Sequence, residues 1–398
     1  MFMIKILHNL FEVLSSNLPD IPFEVRFWDG KTERFGRGTP SFILVINQKE
    51  TVRRILRKGT LGFAEEYVAG NIDVEGDFWQ FVRFGNDARF QDIEHSLRIK
   101  TAAFLQHIMS LNTVTRAPEN IAHHYELGND FYKQYLDKSM TYSCAYFRNN
   151  EDTLEQAQQQ KYEHICRKLQ LKKEETLIDI GCGWGGMLLY AGRHYGVKGI
   201  GCTLSKNQAE YAREMVLREG LDKSITILRE DYRNIKGQFD KFVSIGMFEH
   251  VGEAFIPEFM RKTRALLKPH GIGLLHTIGK ESNTPDDPWT MKYIFPGGHL
   301  PWLDNVIGTM GKNGLVPVDI ENLRLHYAKT LDEWGKRFEE NTQKIEEMFD
   351  ERLVRMWRIF LNGSAAAFRW GNIRLYQILF TNGLNNSLPL TREYLYSS

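Results

Sequence analysis

Strand and helix signals alternate along the middle of the chain, and this alternation limits the possible folds more than any other feature. Between about residues 160 and 330, short apolar runs such as ETLIDIG and VKGIGCT are separated by amphipathic segments such as GGMLLYAGRHYG. Two further strand signals, FDKFVSIG and IGLLHTIG, flank EFMRKTRALLKPHG, which predicts a helix that ends at a proline and a glycine. Strands that alternate with crossover helices indicate a mostly parallel, doubly wound sheet of the α/β class.

The flanking segments predict two domains in a chain of 398 residues. Residues 1–110 indicate a small α+β domain that contacts lipid or membrane, with strands at 23–28 and 41–47 and a basic amphipathic helix at 49–58. Residues 111–398 indicate the domain that holds the doubly wound sheet. The last seventy residues are rich in Trp, Phe, Tyr and Arg, and we expect them to be mostly helical additions to that domain.

Composition excludes several classes of protein. Hydrophobic residues make up 42% and charged residues 25%, as in soluble globular proteins, and the net charge of +1 gives no general attraction to nucleic acid. The sequence has no run of eighteen apolar residues and no signal peptide, so we expect no membrane span. The four cysteines lack C-x-x-C spacing, which fits a reducing cytoplasm better than a disulfide framework or a zinc site. For His123 and His124 no third ligand follows at a suitable spacing, so we expect packing or pocket lining and no metal.

Two segments could contact a membrane. Residues 26–58 contain nine Lys or Arg and only three Asp or Glu. Such an excess of positive charge indicates either a solvated face or a surface that is attracted to anionic lipid. The opening MFMIKILHNLFEVL is either the first core helix or a helix that lies on a membrane or a partner. Aromatic residues at 356–360 and 368–370 are further candidates for lipid contact.

A glycine-rich turn is the first candidate ligand site. Ligands of doubly wound sheets bind beyond the carboxyl ends of the strands. At the first such end, LIDIGCGWGG supplies Asp179, Gly181, Gly183, Gly185 and Gly186. Dinucleotides and S-adenosylmethionine both use such turns, but here the dinucleotide spacing is absent and no basic residue can meet a pyrophosphate. Asp179 suits the amino group of a methionine-like ligand, which favours S-adenosylmethionine.

The ends of the next two strands add cofactor contacts. An acidic residue usually holds the ribose hydroxyls after the second strand, but this chain has GCTLSKNQ, so neutral side chains would have to replace it. The candidate contacts there are Thr203, Leu204, Ser205 and Gln208. After the third strand, Asp231 could meet an adenine amino group and Tyr232 could stack on the ring.

Four more residues could carry chemistry, although each also has an ordinary interpretation. Cys144, in TYSCAYF, could be a nucleophile, a redox centre, a metal ligand or a core residue. Glu249 follows one strand directly and His276 lies near the end of the next, so we expect both at the same edge of the sheet. Taken singly, Glu249 could cap a helix, His276 could be a core histidine and Tyr327 could be core.

Taken together, the motifs resemble one family. The segments DIGCGWGG, TLSKNQ, EDYR, GMFEHVG and LLHTIG, preceded by HHYELGNDFYKQYLD and TYSCAYF, resemble the cyclopropane fatty acid synthases, which include the mycolic acid cyclopropane synthases. The resemblance covers roughly residues 115–385, and the N-terminal hundred residues are similar to the bacterial phospholipid-acting branch. It implies a class I S-adenosylmethionine-dependent methyltransferase fold, which is Rossmann-like.

The resemblance also implies a reaction and its residues. The reaction is methylene transfer from S-adenosylmethionine across a cis double bond of a phospholipid acyl chain, through methyl transfer, a carbocation and loss of a proton to bound bicarbonate. The resemblance assigns the bicarbonate to Cys144, Glu249, His276, the backbone of Ile278, and Tyr327, and it adds Tyr142 and Ser143 as cofactor contacts. Cys144 would then be a weak donor beside the anion and not a nucleophile, while Tyr146 and Phe147 would help to enclose the acyl chain or the cation.

The expected setting is the cytoplasm, with peripheral association at the inner face of the cell membrane. The expected partners are unsaturated phospholipids, and the resemblance is compatible with a homodimer. Two alternatives stay open: a methyltransferase of the same fold that methylates a lipid or an amine without ring closure, and a non-enzymatic lipid-binding protein. One departure from the family is Ser364, which stands where some members have a cysteine, so we expect that thiol to be dispensable.

Overall fold

The structure is a computed structural model, and it describes residues 2–87 and 127–396. These residues divide into two units: 2–87 with 287–294 and 334–372, and 127–286 with 295–333 and 373–396. The segments 287–294 and 334–372 therefore belong to the first unit, although the predicted boundary grouped them with the second. That boundary near residue 110, and also His123 and His124, lie outside the described residues.

The described residues before position 88 form seven elements. They are α1 (Phe2–Asn17), β1 (Phe23–Arg26), β2 (Thr32–Phe35), β3 (Phe42–Ile46), α2 (Lys49–Val68), β4 (Ile72–Gly76) and α3 (Phe78–Asp87). The strands form one sheet in the order β2-β1-β3-β4, with β1 and β3 parallel. The predicted basic helix at 49–58 is the first part of α2, and Gly59, whose φ of 59° and ψ of −136° are not helical, separates it from the second part by a kink.

An aromatic core holds this sheet to α1. The ring of Phe23 stacks at 5.0 Å on Phe35 and at 5.2 Å on Phe42. On α1, Phe11 is buried together with Leu7 and Leu14. The opening helix therefore uses its main apolar side chains in the core of its own unit, as one of the two interpretations expected.

The remaining elements begin after residue 126. They are α4 (Asn129–Tyr132), α5 (Leu154–Leu169), β5 (Thr176–Ile180), α6 (Gly186–Tyr195), β6 (Lys198–Thr203), α7 (Lys206–Arg218), β7 (Ile225–Arg229), β8 (Phe239–Ile245), α8 (Ile256–Leu266), β9 (Leu267–Lys280), α9 (Pro288–Tyr293), α10 (Leu303–Lys312), β10 (Leu315–Asn322), α11 (Arg324–Glu340), α12 (Thr342–Met348), α13 (Glu351–Trp370) and β11 (Ile373–Asn382). Short 3₁₀ helices lie at Tyr232–Asn234, Phe248–His250, Glu253–Phe255 and Glu393–Leu395.

A seven-stranded sheet organises the second unit. Its order is β10-β11-β9-β8-β5-β6-β7, and each neighbouring pair from β9 through β7 is parallel. Strand β11 runs antiparallel to both β9 and β10. The predicted doubly wound sheet is confirmed, and its order reverses between β5 and β8, where doubly wound sheets bind ligands.

The last seventy residues are mostly helical, as expected, but they also contain a strand that was not expected. IRLYQILFTN forms β11, which lies between β9 and β10, because it is the kind of apolar run that periodicity alone cannot assign. On α13, Trp357, Phe360 and Phe368 are buried, so these three aromatic side chains are not available for the lipid contact that their sequence suggested.

Helix α5 covers one face of the large sheet and carries an unusual buried row. Four polar side chains, each exposed by 2% or less, lie three or four positions apart: Gln158, Lys161, His164 and Lys168. Side chains at this spacing share one side of a helix. A Thr153–Gln156 capping box fixes the start of α5. The helix therefore brings polar groups, two of them lysines, into the interior beside the sheet.

Candidate active site

The conformation and packing of the turn between β5 and α6 require glycine at two of its positions. Gly183 has a φ of 54°, which other L residues adopt only with strain. A Cβ atom on Gly186 would lie 2.1 Å from the hydroxyl oxygen of Tyr162, which is buried against the turn. Only glycine therefore allows this close packing of α6 on α5.

Asp179, the last but one residue of β5, lies beside that turn. Its side chain is 1% exposed, and its Oδ1 atom has no hydrogen-bond partner among the described residues. Burial raises the pKa of this carboxyl to about 7. A buried acceptor without a donor fits a ligand that brings one, such as the ammonium group of S-adenosylmethionine.

A cleft of about 1100 Å³, measured out to its open mouth, surrounds these groups. Eleven of the predicted cofactor contacts line it: Tyr142, Ser143, Asp179, Gly181, Gly183, Gly186, Thr203, Leu204, Gln208, Asp231 and Tyr232. Gly185 and Ser205 do not line the cleft. They are the N-cap residues of α6 and α7, and the hydroxyl of Ser205 accepts from the amide of Gln208.

The neutral segment after β6 is internally hydrogen-bonded. Thr203 donates from Oγ1 to Oε1 of Gln208 at 2.8 Å, which leaves the Gln208 amide nitrogen as a donor toward a ligand. The carboxylate of Asp231 accepts from Nε of Arg233 at 2.9 Å and from Nη2 at 2.7 Å. An adenine contact to Asp231 would thus use a carboxylate that Arg233 already orients.

Sequence reasoning missed several lining residues. Lys161, Trp184, Met247 and His250 also border the cleft. Trp184 lies within the glycine motif, so the predicted positions of the neighbouring glycines could have indicated that it lines the cleft. Lys161 lies in a lysine- and glutamine-rich helix, and such a sequence ordinarily predicts a solvated face.

Glu249 begins a second group of polar atoms at the same edge of the sheet. Its side chain is 8% exposed, and Oε1 accepts from the backbone amide of Ile278, at 2.6 Å, on β9. Oε2 is buried and has no partner in the described structure, and burial raises the pKa of the carboxyl to about 7. Glu249 therefore binds a neighbouring strand and does not cap a helix, and the backbone amide of Ile278, which was expected to contact bicarbonate, donates to this carboxyl instead.

His276 is the next member of this group. It is 1% exposed, and its Nδ1 lies 3.2 Å from Nε2 of Gln377 on β11. Burial, reinforced by the nearby lysine charges, holds the pKa of His276 well below its ordinary value. With the Gln377 amide donating to Nδ1, the neutral ring carries its hydrogen on Nε2, which has no partner in the described part of the chain.

Cys144 is fully buried and unreactive. Its Sγ donates to the carbonyl of Ala145 at 3.1 Å, and burial raises the pKa of the thiol. The neighbouring amide of Ala145 donates to Oγ1 of Thr330 at 3.0 Å, three residues beyond Tyr327 on α11. The structure therefore ties the Cys144 segment to the helix that carries Tyr327, and it gives the thiol no nucleophilic character.

The ring of Tyr146 cannot have one of its two expected roles, which is to stabilise a cation with its face. Its ring stacks on His164 at 4.2 Å and on His326 at 4.8 Å. Both of its faces are thus covered by histidine rings, so neither can meet a carbocation. The ring of Phe147 lies 4.6 Å from the Lys329 ammonium.

Comparisons with known proteins show which family the chain belongs to. The family described as mycolic acid cyclopropane synthetase matches residues 112–378. The chain belongs to this family. Residues 9–89 match a second family, which is described as a domain of unknown function. Within the described residues, no group of three His, Cys, Asp or Glu side chains could hold a metal ion.

Individual relatives agree with this family. The chain is 39% identical over 352 residues to the cyclopropane-fatty-acyl-phospholipid synthase of Escherichia coli K12, covering 87% of this chain and 90% of that protein. It is 36% identical over 391 residues to a probable fatty acid methyltransferase of Pseudomonas putida, covering 94% and 96%. A solved structure of mycolic acid cyclopropane synthase CmaA1 complexed with SAH and CTAB has a TM-score of 0.64 and 34% identity, covering 66% of this chain and 98% of that one.

Membership of the cyclopropane synthetase family confirms three predictions. The chain is an enzyme, it has the class I methyltransferase fold, and its cofactor is S-adenosylmethionine. The cleft fits that cofactor, because Asp179 presents an unpaired acceptor where an ammonium group is expected. Ser364 of this family member lies on α13, which belongs to the first unit.

Proposed function

We propose that the chain transfers a methylene group from S-adenosylmethionine across the cis double bond of an unsaturated phospholipid acyl chain, forming a cyclopropane ring. The supporting observation is a pair of buried polar atoms without partners in the described structure, Oε2 of Glu249 and Nε2 of His276. Glu249 lies between Met247 and His250, which line the cofactor cleft. Ring closure must remove a proton from carbon after the methyl transfer, which requires a base next to the added methyl group, whereas methylation of an amine needs no such step.

These two atoms fit bicarbonate. An Nε2–H of His276 can donate to an anionic oxygen, and Oε2 of Glu249 can accept the hydrogen of the anion's hydroxyl group. Bound there, bicarbonate would supply the base that takes the proton from the added methyl group. The raised pKa of Glu249, about 7, makes its carboxylate a good proton acceptor near neutral pH. Both side chains are buried, so a cation that formed beside them would be shielded from water.

The product decides between ring formation and the alternatives. The enzyme is incubated with vesicles of unsaturated phospholipid and labelled S-adenosylmethionine, and the fatty acids are released and analysed. We expect labelled fatty acids that gain one CH₂ group and lose the double-bond signal. Label with the double bond retained would show methylation without ring closure, as the name of the Pseudomonas putida relative suggests for that protein. The absence of any transferred label would favour a non-enzymatic lipid-binding protein.

We also propose peripheral association with anionic membrane through α2. Among the basic residues between positions 26 and 58, Arg26, Arg34, Arg54 and Lys58 form ion pairs with glutamates. Three exposed basic residues lie at every fourth position of α2: Lys49, Arg53 and Arg57. They therefore share one face of the helix with Leu56, which is 38% exposed. No helix in the described part of the chain is long and apolar enough to cross a bilayer. A basic face with an apolar side chain suits contact with an anionic surface.

Vesicle flotation tests this face. The triple variant Lys49→Glu, Arg53→Glu, Arg57→Glu is expected to bind anionic vesicles at low salt at least roughly 100-fold more weakly, because three lost positive charges contribute about 1 kcal/mol each and the three added negative charges are repelled as well. The matched control reverses three exposed charges on other helices, Lys336, Lys344 and Arg352, and is expected to float like the parent protein. Equal losses in both variants would show that only the total charge matters, and an unchanged triple variant would remove α2 from the contact.

A further inference from the structure

Lys161 is a buried cation that the reaction described above does not use. It is 1% exposed and borders the cofactor cleft. Its Nζ donates to Oγ of Ser143 at 3.0 Å and lies 4.3 Å from the ring centroid of Tyr162. Lys168, two turns later on α5 and equally buried, pairs with Glu321 at 2.6 Å. Lys161 has no such ion pair within the described residues, and buried lysines are seldom left without one.

The charged groups around Lys161 indicate which kind of ligand group it can bind. The groups that act on it electrostatically are Asp137, Cys144 and Asp179, and its own charge reaches His276. The Asp137 side chain already accepts from the amide of Thr141 and from Ser139. Asp179 is the remaining carboxylate, and its Oδ1 is itself without a partner in the described structure. The cleft thus holds a buried amine and a buried carboxyl group, and neither is fully satisfied by the described residues.

An amino acid end group matches this pair. The methionine part of S-adenosylmethionine carries an ammonium and a carboxylate on one carbon atom, so a site for it needs one acceptor and one cation close together. We propose that Lys161 binds the carboxylate of the cofactor, opposite Asp179, which binds the ammonium group. The contact from Lys161 to Ser143 would hold that hydroxyl beside the same carboxylate. This inference rests only on S-adenosylmethionine as the cofactor and not on ring formation.

Because Lys161 is buried, its protonation depends on whether a carboxylate ligand is bound. It lowers the pKa of Lys161 to about 7, so that without a ligand the ammonium is only partly charged near neutral pH. A carboxylate at hydrogen-bond distance favours the charged form and strengthens the contact. Ligands without that carboxylate receive no benefit from Lys161.

Calorimetry with two ligands separates this role from a structural one. S-adenosylhomocysteine carries the amino acid end, and 5′-methylthioadenosine lacks it. Lys161→Met is expected to weaken S-adenosylhomocysteine binding roughly 10- to 100-fold, as for loss of a hydrogen bond to a charged group, and to leave methylthioadenosine within twofold of the parent. An equal loss for both ligands, or unchanged S-adenosylhomocysteine binding, would overturn the proposal.

A second arm needs no variant. The carboxamide of S-adenosylhomocysteine is expected to bind the unaltered enzyme more weakly than the carboxylate by a similar factor, so the test stands even where Lys161→Met does not fold. Equal affinity for amide and carboxylate would count against Lys161. If the unaltered enzyme bound no S-adenosylhomocysteine, the cofactor assignment itself would fail. If it bound normally but formed no ring, only the proposed reaction would fail.

Discussion

Replacing Glu249 by Gln is expected to slow product formation by about 100- to 10,000-fold, the range for loss of a general acid–base group, because Glu249 would no longer accept the hydrogen of the bicarbonate that takes the proton. Glutamine keeps an Oε1 that can accept from the amide of Ile278, but it replaces the unpaired Oε2 by an NH₂ group that cannot take a proton. Cofactor binding should stay within about twofold, because Glu249 does not line the cleft. Single-turnover product formation and calorimetry of S-adenosylhomocysteine measure the two effects.

The pH dependence of the rate provides a control for this interpretation. Burial raises the pKa of Glu249 to about 7, so the carboxyl is protonated below that pH and ionised above it. Because only the ionised form can accept the hydrogen of bound bicarbonate, the rate should fall about tenfold for each pH unit below 7 and level off above it. The residual rate of Glu249→Gln should lack this step. A variant that keeps nearly the parental rate, or the same pH step, would show that another group accepts the proton.

Replacing Gly186 by Ala is expected to lower the free energy of unfolding by about 3 kcal/mol, the upper end of the usual range for overpacking. The added Cβ would lie 2.1 Å from the hydroxyl oxygen of Tyr162, far inside van der Waals contact. That hydroxyl cannot retreat freely, because Tyr162 is 3% exposed and its oxygen lies 2.6 Å from Oγ1 of Thr141. Urea denaturation followed by circular dichroism measures the change.

Two further variants isolate this clash. In Tyr162→Phe combined with Gly186→Ala the contacting oxygen is absent, and the nearest remaining ring atom lies 2.9 Å from the new Cβ. The double variant should therefore lose at least about 1 kcal/mol less than the sum of the single losses. Gly183→Ala meets no atom within 4 Å and should cost only the strain of its positive φ, about 1–2 kcal/mol. If the losses of unfolding free energy for Tyr162→Phe and Gly186→Ala were strictly additive, the added Cβ would be accommodated by movement elsewhere in the turn.

Local sequence was enough to predict the parts of the site that lie next to one another along the chain. The glycine motif stands directly between an apolar strand and an amphipathic helix, and the structure places that turn at the cofactor cleft. Glu249 follows β8, and His276 lies near the end of the parallel neighbour β9, so the rule for carboxyl ends of strands applied to both. In these cases a short segment contains all the information that the prediction used.

Long-range packing decided what sequence reasoning missed. Strand β11 was expected among helices, yet its insertion beside β9 places Gln377 against His276 and selects the imidazole tautomer. The ring of Tyr146 was expected at the substrate, but two histidines far apart in sequence cover both of its faces. Neither contact follows from a local pattern, because each depends on which elements become neighbours in the sheet or against it.

The sequence by itself determined the fold class, the family, and eleven of the residues that line the cofactor cleft, because strand and helix periodicity and short motifs are local properties. Only the tertiary structure decided which polar groups are buried without partners. Lys161 and Lys168 look alike on α5, and they differ because Glu321 on β10 lies beside one and no described carboxylate pairs with the other. Burial and charge pairing are set by the whole fold, and they give Lys161, Asp179, Glu249 and His276 the properties on which catalysis would depend.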